Sequence, residues 1–237
     1  MIKGKRVVIL GGTAGIGRAV AEQVVEHGGS VVVASSSQAR VDEAKKRLGK
    51  AEGHTVDLRS VASIKGLFET IGAFDHLVYT AGEELLMGPL ASLDLDKARR
   101  FLDIRYWGAL AAVQAAAPRL ARDGSVVLTG GTAGRKPPPG FVIGASICGA
   151  MESLTRALAL ELAPVRVNIV VPGFVDSELW SNIPSDARAK MFADAAAKLP
   201  VGRIGLPADI AEAYVAFMKG GYTTGQSVVV DGGGVLV

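Results

Sequence analysis

Four glycines, Gly11, Gly12, Gly15 and Gly17, are crowded into the stretch RVVILGGTAGIGRA at residues 6–19. Glycines at this spacing suit phosphate chemistry. A backbone without Cβ atoms comes close to a diphosphate, and a following helix offers free N–H groups and the positive end of its dipole. A glycine turn by itself proves little, because any tight turn uses glycine. Here the setting decides. Val7, Val8, Ile9 and Leu10 form an unbroken apolar run, which reads as a strand buried on both faces. Val20, Val24 and Val25 then carry a helical apolar stripe. Strand, glycine turn and helix make a unit fit to hold a dinucleotide, with Gly11, Thr13, Ala14, Gly15, Ile16 and Gly17 as its cradle.

The rest of the chain supplies the scaffold for such a cradle. Apolar runs at 30–34, 53–56, 75–79, 125–129, 165–171 and 227–230 read as further strands. Helical patterns fall between them, at 38–48, 60–71, 94–120, 145–162 and 207–218. Ser37 and Asp94 stand where helix caps belong, and Pro207 opens the last helix. Residues 130–140 form a loop stiffened by Pro137, Pro138 and Pro139, and 172–200 a longer loop with helical pieces. Alternating strands and helices imply an α/β fold: one doubly wound, Rossmann-type domain over residues 1–237, with a mostly parallel seven-stranded sheet between two helical layers. Right-handed crossovers place the ligand crevice at the carboxyl ends of the strands.

Composition narrows the function. The net charge is +3 with Lys and Arg scattered, a solvated mixed surface rather than a nucleic-acid footprint. Cys148 is the single cysteine, so no intrachain disulfide forms. A reducing, cytoplasmic setting is expected. No signal peptide or membrane span is expected, because each apolar run ends early at a charge or a glycine. The expected partner is a small-molecule substrate. No metal-ligand cluster stands out among the three histidines and the acids.

With these elements placed, the chain resembles the short-chain dehydrogenase/reductase family over nearly its whole length. Leu10 to Gly17 looks like that family's TGxxxGIG turn, with Leu10 in place of the usual Thr. Asp57-Leu58 matches an adenine-contacting pair. Tyr79-Thr80-Ala81-Gly82 stands where NNAG is usual, Pro172-Gly173 matches the PG motif, and Tyr222 to Gln226 with Val230 to Gly233 resembles the C-terminal signature. The resemblance implies a nicotinamide cofactor held by the glycine turn, Asp57, Leu58, Ala81, Gly82, Pro172, Gly173 and Val175. It also implies a homotetramer or homodimer built on the two long helices. Cofactor choice follows from strand two, which ends in Ala34 and then Ser35, Ser36 and Ser37. An NAD enzyme usually carries an acid there that repels a 2′-phosphate. Three hydroxyls without a carboxylate favour NADP(H) over NAD(H), with Arg40 or Arg18 as possible added charge.

The family's usual catalytic groups are an Asn, a Ser and a Tyr-x-x-x-Lys pair. Aligning RALALELAPVRVN at residues 156–168 without gaps puts Gly144 at the Tyr position and Cys148 at the Lys position. Gly131 then falls at the Ser position and Arg105 at the Asn position. None of Tyr79, Tyr106, Tyr214 and Tyr222 has Lys four residues on, so no shift of register restores the pair. Arg105 could replace the missing ammonium or pair with a nearby carboxylate. Tyr79 could supply a phenol or simply pack. The gap left by the glycines could admit a large substrate or be filled by Tyr106 or Trp107. Cys148 reads as a small buried residue, and His76 as a satisfied core histidine. The expected substrate loops, 83–89, 134–143 and 174–198, offer Arg135, Lys136, Asp176 and Trp180. Two functions are open at this point. One is an NADP(H)-dependent oxidoreductase with a non-standard site. The other is a cofactor-binding protein without redox turnover, such as a sensor, regulatory subunit, cyclase or isomerase.

Overall fold

The computed structural model describes all residues, Met1–Val237. Seven strands, β1 (Arg6–Leu10), β2 (Ser30–Ser35), β3 (Glu52–Thr55), β4 (Phe74–Tyr79), β5 (Leu120–Thr129), β6 (Arg166–Pro172) and β7 (Ser227–Val230), form one sheet in the order β3-β2-β1-β4-β5-β6-β7. Every pairing is parallel. Parallel strands need crossovers, and eight α-helices run among the strands: α1 (Gly15–Glu26), α2 (Gln38–Leu48), α3 (Val61–Ile71), α4 (Leu95–Arg100), α5 (Ala109–Ala116), α6 (Val142–Glu161), α7 (Ser185–Ala196) and α8 (Pro207–Lys219).

Side-chain alternation splits the core in two. Val8, Leu10, Leu77 and Val126 pack with residues of α3, α5 and α6 on one face. Val7, Ile9, Val78 and Val127 pack with residues of α1, α2 and α8 on the other. β1 lies between β2 and β4, so the chain reverses its direction of sheet growth at β1. The topological switch point, where open α/β sheets hold ligands, therefore sits at the glycine turn.

Two elements depart from the sequence reading. The helix expected over 94–120 is broken. Asp94 does cap α4, its carboxylate accepting the amides of Asp96 (2.9 Å) and Lys97 (3.0 Å). Residues Asp103–Gly108 then form a π-helical segment. Its cause lies at Ile104, whose carbonyl accepts the Tyr79 hydroxyl (2.5 Å) while its amide donates to Glu83 Oε1 (2.6 Å). Both main-chain groups are drawn away from the regular ladder, which widens the turn. Pro118 then closes the region in a 3-10 turn at Ala117–Arg119. The second departure is β5, which starts at Leu120 rather than 125. It pairs Leu120 with Phe74 and resumes at His76–Ser125 after an irregularity. No helix is long and apolar enough to cross a membrane.

His76 is a core histidine, as its sequence position suggested. It is 3% exposed, and its Nδ1 lies 2.9 Å from Ser125 Oγ. Burial pushes its pKa down to about 4. An unfolded histidine takes its proton near pH 6.5. The folded chain resists that proton until about pH 4, so this share of stability is present above pH 6.5 and is lost as the pH falls towards 4. The loss should reach roughly 3 kcal/mol. Urea unfolding of wild type and H76N between pH 7 and 4.5 checks this: the wild type should lose more stability than the variant.

Candidate active site

The turn after β1 is shaped by what a side chain would hit. Gly11 has φ +86°, and a Cβ there would stand 2.7 Å from the Ala81 amide nitrogen and 2.9 Å from Thr80 Oγ1. A Cβ on Gly17 would collide with the Gly11 carbonyl and Thr80 Oγ1. Gly11 thus lets the turn touch the exit of β4, and Gly17 lets α1 pack on the turn. Thr80 secures the junction by donating from Oγ1 to the Leu10 carbonyl at 3.1 Å. Ala14 is the N-cap of α1 with no side-chain cap, and the first turn of α1 carries no acid. The amides of Thr13, Ala14, Gly15 and Ile16 find no backbone or side-chain acceptor. A bare, positive helix end beside a cradle that only glycine fits suits a diphosphate.

The other expected cofactor residues converge on the same edge of the sheet. Ser35, Ser36 and Ser37 follow β2, where Ser37 Oγ accepts the Arg40 amide at 3.4 Å and caps α2. The Ser37 amide donates to Ser35 Oγ at 3.4 Å, and Ser36 is exposed. Asp57 follows β3, with its carboxylate accepting the Arg59 amide at 2.9 Å, and Leu58 is buried beside it. Ala81 and Gly82 follow β4. Pro172 ends β6, Gly173 packs on Asp231, and Val175 bridges to Gly205. Arg18 pairs with Glu178 at 3.0 Å.

Of the four positions singled out for catalysis, Arg105 and Cys148 line one cavity and Gly131 lies beside Cys148, while Gly144 is one helical turn away on α6. A Cβ on Gly131 would lie 3.0 Å from Cys148 Sγ, and one on Gly144 would meet only the Phe141 ring at 3.4 Å. Cys148 and the Phe141 ring, not Tyr106 or Trp107, therefore border the two glycines; the Trp107 side chain is 57% exposed. A small cavity of about 30 Å³ lies at the ends of β4 and β5, lined by Tyr79, Ala81, Arg105, Thr129, Gly130 and Cys148 among others. Burial pushes the Cys148 thiol up, and nearby Arg105 opposes this only in part, so the thiol is protonated and no nucleophile. Tyr79 is spoken for by the Ile104 carbonyl, and burial raises its phenol further above its usual range. Thr129 Oγ1 donates to the Tyr79 carbonyl (2.5 Å) and contacts the Tyr214 hydroxyl (2.6 Å).

Arg105 both faces the cavity and pairs with a carboxylate. Its Nη2 donates to the Glu83 carbonyl, its Nε is 3.5 Å from Glu83 Oε2, and its guanidinium lies 5.1 Å from the Phe101 ring centre. Burial lowers its pKa, and Glu83 counters this. Arg105 Nε and Glu83 Oε2 are the two buried side-chain polar atoms in the chain without a hydrogen-bond partner. Gly82 makes room for the guanidinium, since a Cβ there would lie 2.6 Å from Cζ. Glu83 is the residue that sequence reasoning missed. Its signal was an acid directly after Thr80-Ala81-Gly82, inside a loop read only as substrate lining. Three of the four polar or aromatic contacts expected for substrate are also committed elsewhere. Arg135 pairs with Glu152 (2.7 Å), Lys136 Nζ donates to the Gly234 carbonyl (3.2 Å), and Trp180 Nε1 donates to the Val175 carbonyl (2.9 Å). Asp176 remains exposed. No group of His, Cys, Asp and Glu is arranged to hold a metal.

An open parallel sheet with a glycine cradle at its switch point defines a Rossmann-type protein. The comparisons narrow the class. A family model described as enoyl-(acyl carrier protein) reductase matches residues 11–234. The short-chain dehydrogenase/reductase ATR9 of Stachybotrys chlorohalonatus is 37% identical over 99% of this chain and 98% of its own length. A small-chain dehydrogenase solved in complex with NADPH superposes with a TM-score of 0.87 at 34% identity, covering 99% of this chain and 100% of that one. The MalC reductase/Diels-Alderase of Malbranchea aurantiaca gives 0.93 at 30% identity, over 100% and 98%. The chain belongs to the short-chain dehydrogenase/reductase family, a family of oxidoreductases.

The half-satisfied Glu83–Arg105 pair has a consequence for stability. Truncating one partner of a buried pair strands the other charge, at a cost of about 3–5 kcal/mol when burial is complete. Arg105 keeps some exposure, its side chain being 24% exposed. E83A should therefore lose about 2–3 kcal/mol, and E83A/R105M should recover part of that loss. Denaturant midpoints of the three proteins check this.

Proposed function

We propose that this chain is an NADP(H)-dependent reductase of small organic molecules that works without its family's usual Asn, Ser, Tyr and Lys. Arg105, Gly131, Gly144 and Cys148 occupy those positions. The observation that carries the reading is the chemistry of the pocket. Its hydroxyls are committed to main-chain or side-chain partners, its thiol is held neutral, and its one cation is a guanidinium. A guanidinium donates hydrogen bonds but does not give up a proton. The site can orient and polarise a substrate, and it lacks a general acid.

In this reading the amides of Thr13 to Ile16 hold the diphosphate, Asp57 and Leu58 meet the adenine, and Ser35, Ser36 and Ser37 take the 2′-phosphate. Arg105 lies towards the nicotinamide ribose, held there by Glu83. When bound, the nicotinamide supplies or accepts a hydride. The NADPH-bound neighbour supports this cofactor choice. Replacing Ser35 by Asp puts a negative charge against the 2′-phosphate. Calorimetric titration should show wild type preferring NADPH to NADH, and S35D losing that preference by roughly tenfold or more; equal affinities in wild type would count against the assignment.

Substrate choice follows from the missing acid. Reducing a plain ketone builds an alkoxide, and a positioned proton donor is worth about 10²–10⁴ in that rate. An iminium ion ends as a neutral amine, and a conjugated acceptor spreads its charge, so both need less help. Arg105 can bond the oxygen of the latter. Nicotinamide absorbance across a panel of ketones, enones and iminium ions is the test. Turnover should be confined to the activated acceptors, and fast reduction of simple ketones would contradict the proposal.

A second reading keeps the cofactor without redox turnover. The MalC neighbour, described as a reductase/Diels-Alderase, shows that this fold can be associated with ring formation. Tight NADPH binding with silence across the whole panel would favour it. For either reading we place the chain in a homotetramer or homodimer. The exposed Trp107 supports contact through the helical layer that contains α6.

A further inference from the structure

Tyr79 ends β4 fully buried, and its hydroxyl donates to the Ile104 carbonyl at 2.5 Å. A glycine makes room for that bond. A Cβ on Gly108 would stand 2.9 Å from the Tyr79 hydroxyl and 2.6 Å from the Leu58 carbonyl. A side chain at 108 would therefore push the phenol off Ile104. At the opposite main-chain group, Glu83 Oε1 accepts the Ile104 amide at 2.6 Å. Glu83 Oε2 stays 3.5 Å from Arg105 Nε without a hydrogen bond. The acid's short bond goes to the main chain rather than to the cation beside it.

Both bonds act on the residue that precedes Arg105. The peptide unit linking Ile104 to Arg105 is planar, so fixing its carbonyl oxygen also fixes the Arg105 N–H. Fixing the Ile104 amide sets the peptide plane before it. With both planes held, the Cα–Cβ bond of Arg105 leaves the turn in one direction. Along it the guanidinium packs on the bare backbone of Gly82, lies 5.1 Å from the Phe101 ring centre and donates to the Glu83 carbonyl. It ends in the wall of the small cavity that Cys148 also lines. A regular α-helical turn would return the Ile104 carbonyl to the amide of Gly108 and rotate Arg105 with it.

We infer that Tyr79 is a positioning residue for Arg105: acting through Ile104, with Glu83 as the opposing hold, its hydroxyl keeps the guanidinium in the pocket wall. The inference deepens the proposed function and rests on Arg105 being the group that orients the substrate there. Tyr79 gives up no proton in this role, yet the one cation of the pocket depends on it. A phenylalanine at 79 keeps the ring in the core and removes only the hold on Ile104.

The single cysteine reports where the guanidinium lies. Burial pushes the Cys148 thiol up, Arg105 and the Gly134 amide oppose this, and Glu152 adds to it. Moving the cation away therefore leaves less thiolate at a given pH. The test is the rate at which iodoacetamide alkylates Cys148 at about pH 8.5, near the ordinary thiol pKa. Wild type, Y79F, R105M and Y79F/R105M are compared, with calorimetric titration of NADPH into wild type alongside. Y79F should slow alkylation roughly two- to fivefold, and R105M at least as much. The double variant should match R105M, because Y79F acts only through the guanidinium. A merely structural effect of Y79F would persist in the R105M background. Alkylation of Y79F or R105M at the wild-type rate, or equal slowing by Y79F with and without Arg105, overturns the inference and leaves the cofactor reading standing. Failure of wild type to bind NADPH overturns the cofactor reading, while the expected alkylation pattern still upholds the positioning of Arg105 by Tyr79.

Discussion

The turn after β1 presses against the exit of β4, and the close approach rests on Gly11 and Gly17 together with the Thr80 hydroxyl bond to the Leu10 carbonyl. A side chain at either glycine would have to displace main-chain atoms or Thr80. Because the turn is held that close, α1 starts directly above the switch point of the sheet, with its first amides uncommitted. The remaining site residues reach the same edge because all seven strands are parallel and so end on one side.

A second constraint acts on the pocket wall. Glu83 and Tyr79 both engage Ile104, from opposite main-chain groups, and the resulting π-helical turn sets Arg105 in the wall of the small cavity that Cys148 also lines. Burying a guanidinium is costly unless it is paired, and here the pairing is incomplete. A regular helix over the same residues would have left Arg105 on a different bearing. The irregular turn, the buried acid and the directed cation are one arrangement.

Much of this was legible in the sequence. Unbroken apolar runs gave the strands, because a strand covered on both faces has no need to alternate. The glycine spacing and its strand–helix setting located the turn at the switch point, and the other residues singled out follow the carboxyl ends of the parallel strands. The cap residues Ser37 and Asp94 were recognisable because short polar side chains that accept main-chain amides belong at helix starts. What stayed hidden depended on contacts between distant parts of the chain. Pro118 announces the end of the 94–120 helix locally, but nothing local announces the π-helical turn at Asp103–Gly108, whose cause is the meeting of Tyr79, Glu83 and Ile104 across the fold. Arg135, Lys136 and Trp180 read as free site groups, because their partners Glu152, Gly234 and Val175 cannot be inferred from spacing. Arg18 read as possible charge beside the serines, whereas the fold pairs it with Glu178.

The central claim is that the dinucleotide lies on this cradle with Arg105, and no acid, at its reactive end. A crystal structure of the NADPH complex tests it most directly. The expected result places the Arg105 guanidinium within about 3.5 Å of the nicotinamide ribose or of a bound substrate oxygen, with no tyrosine or serine hydroxyl at comparable distance from the reacting carbon. A tyrosine hydroxyl positioned over the nicotinamide, or Arg105 turned wholly onto Glu83 away from it, would contradict the account.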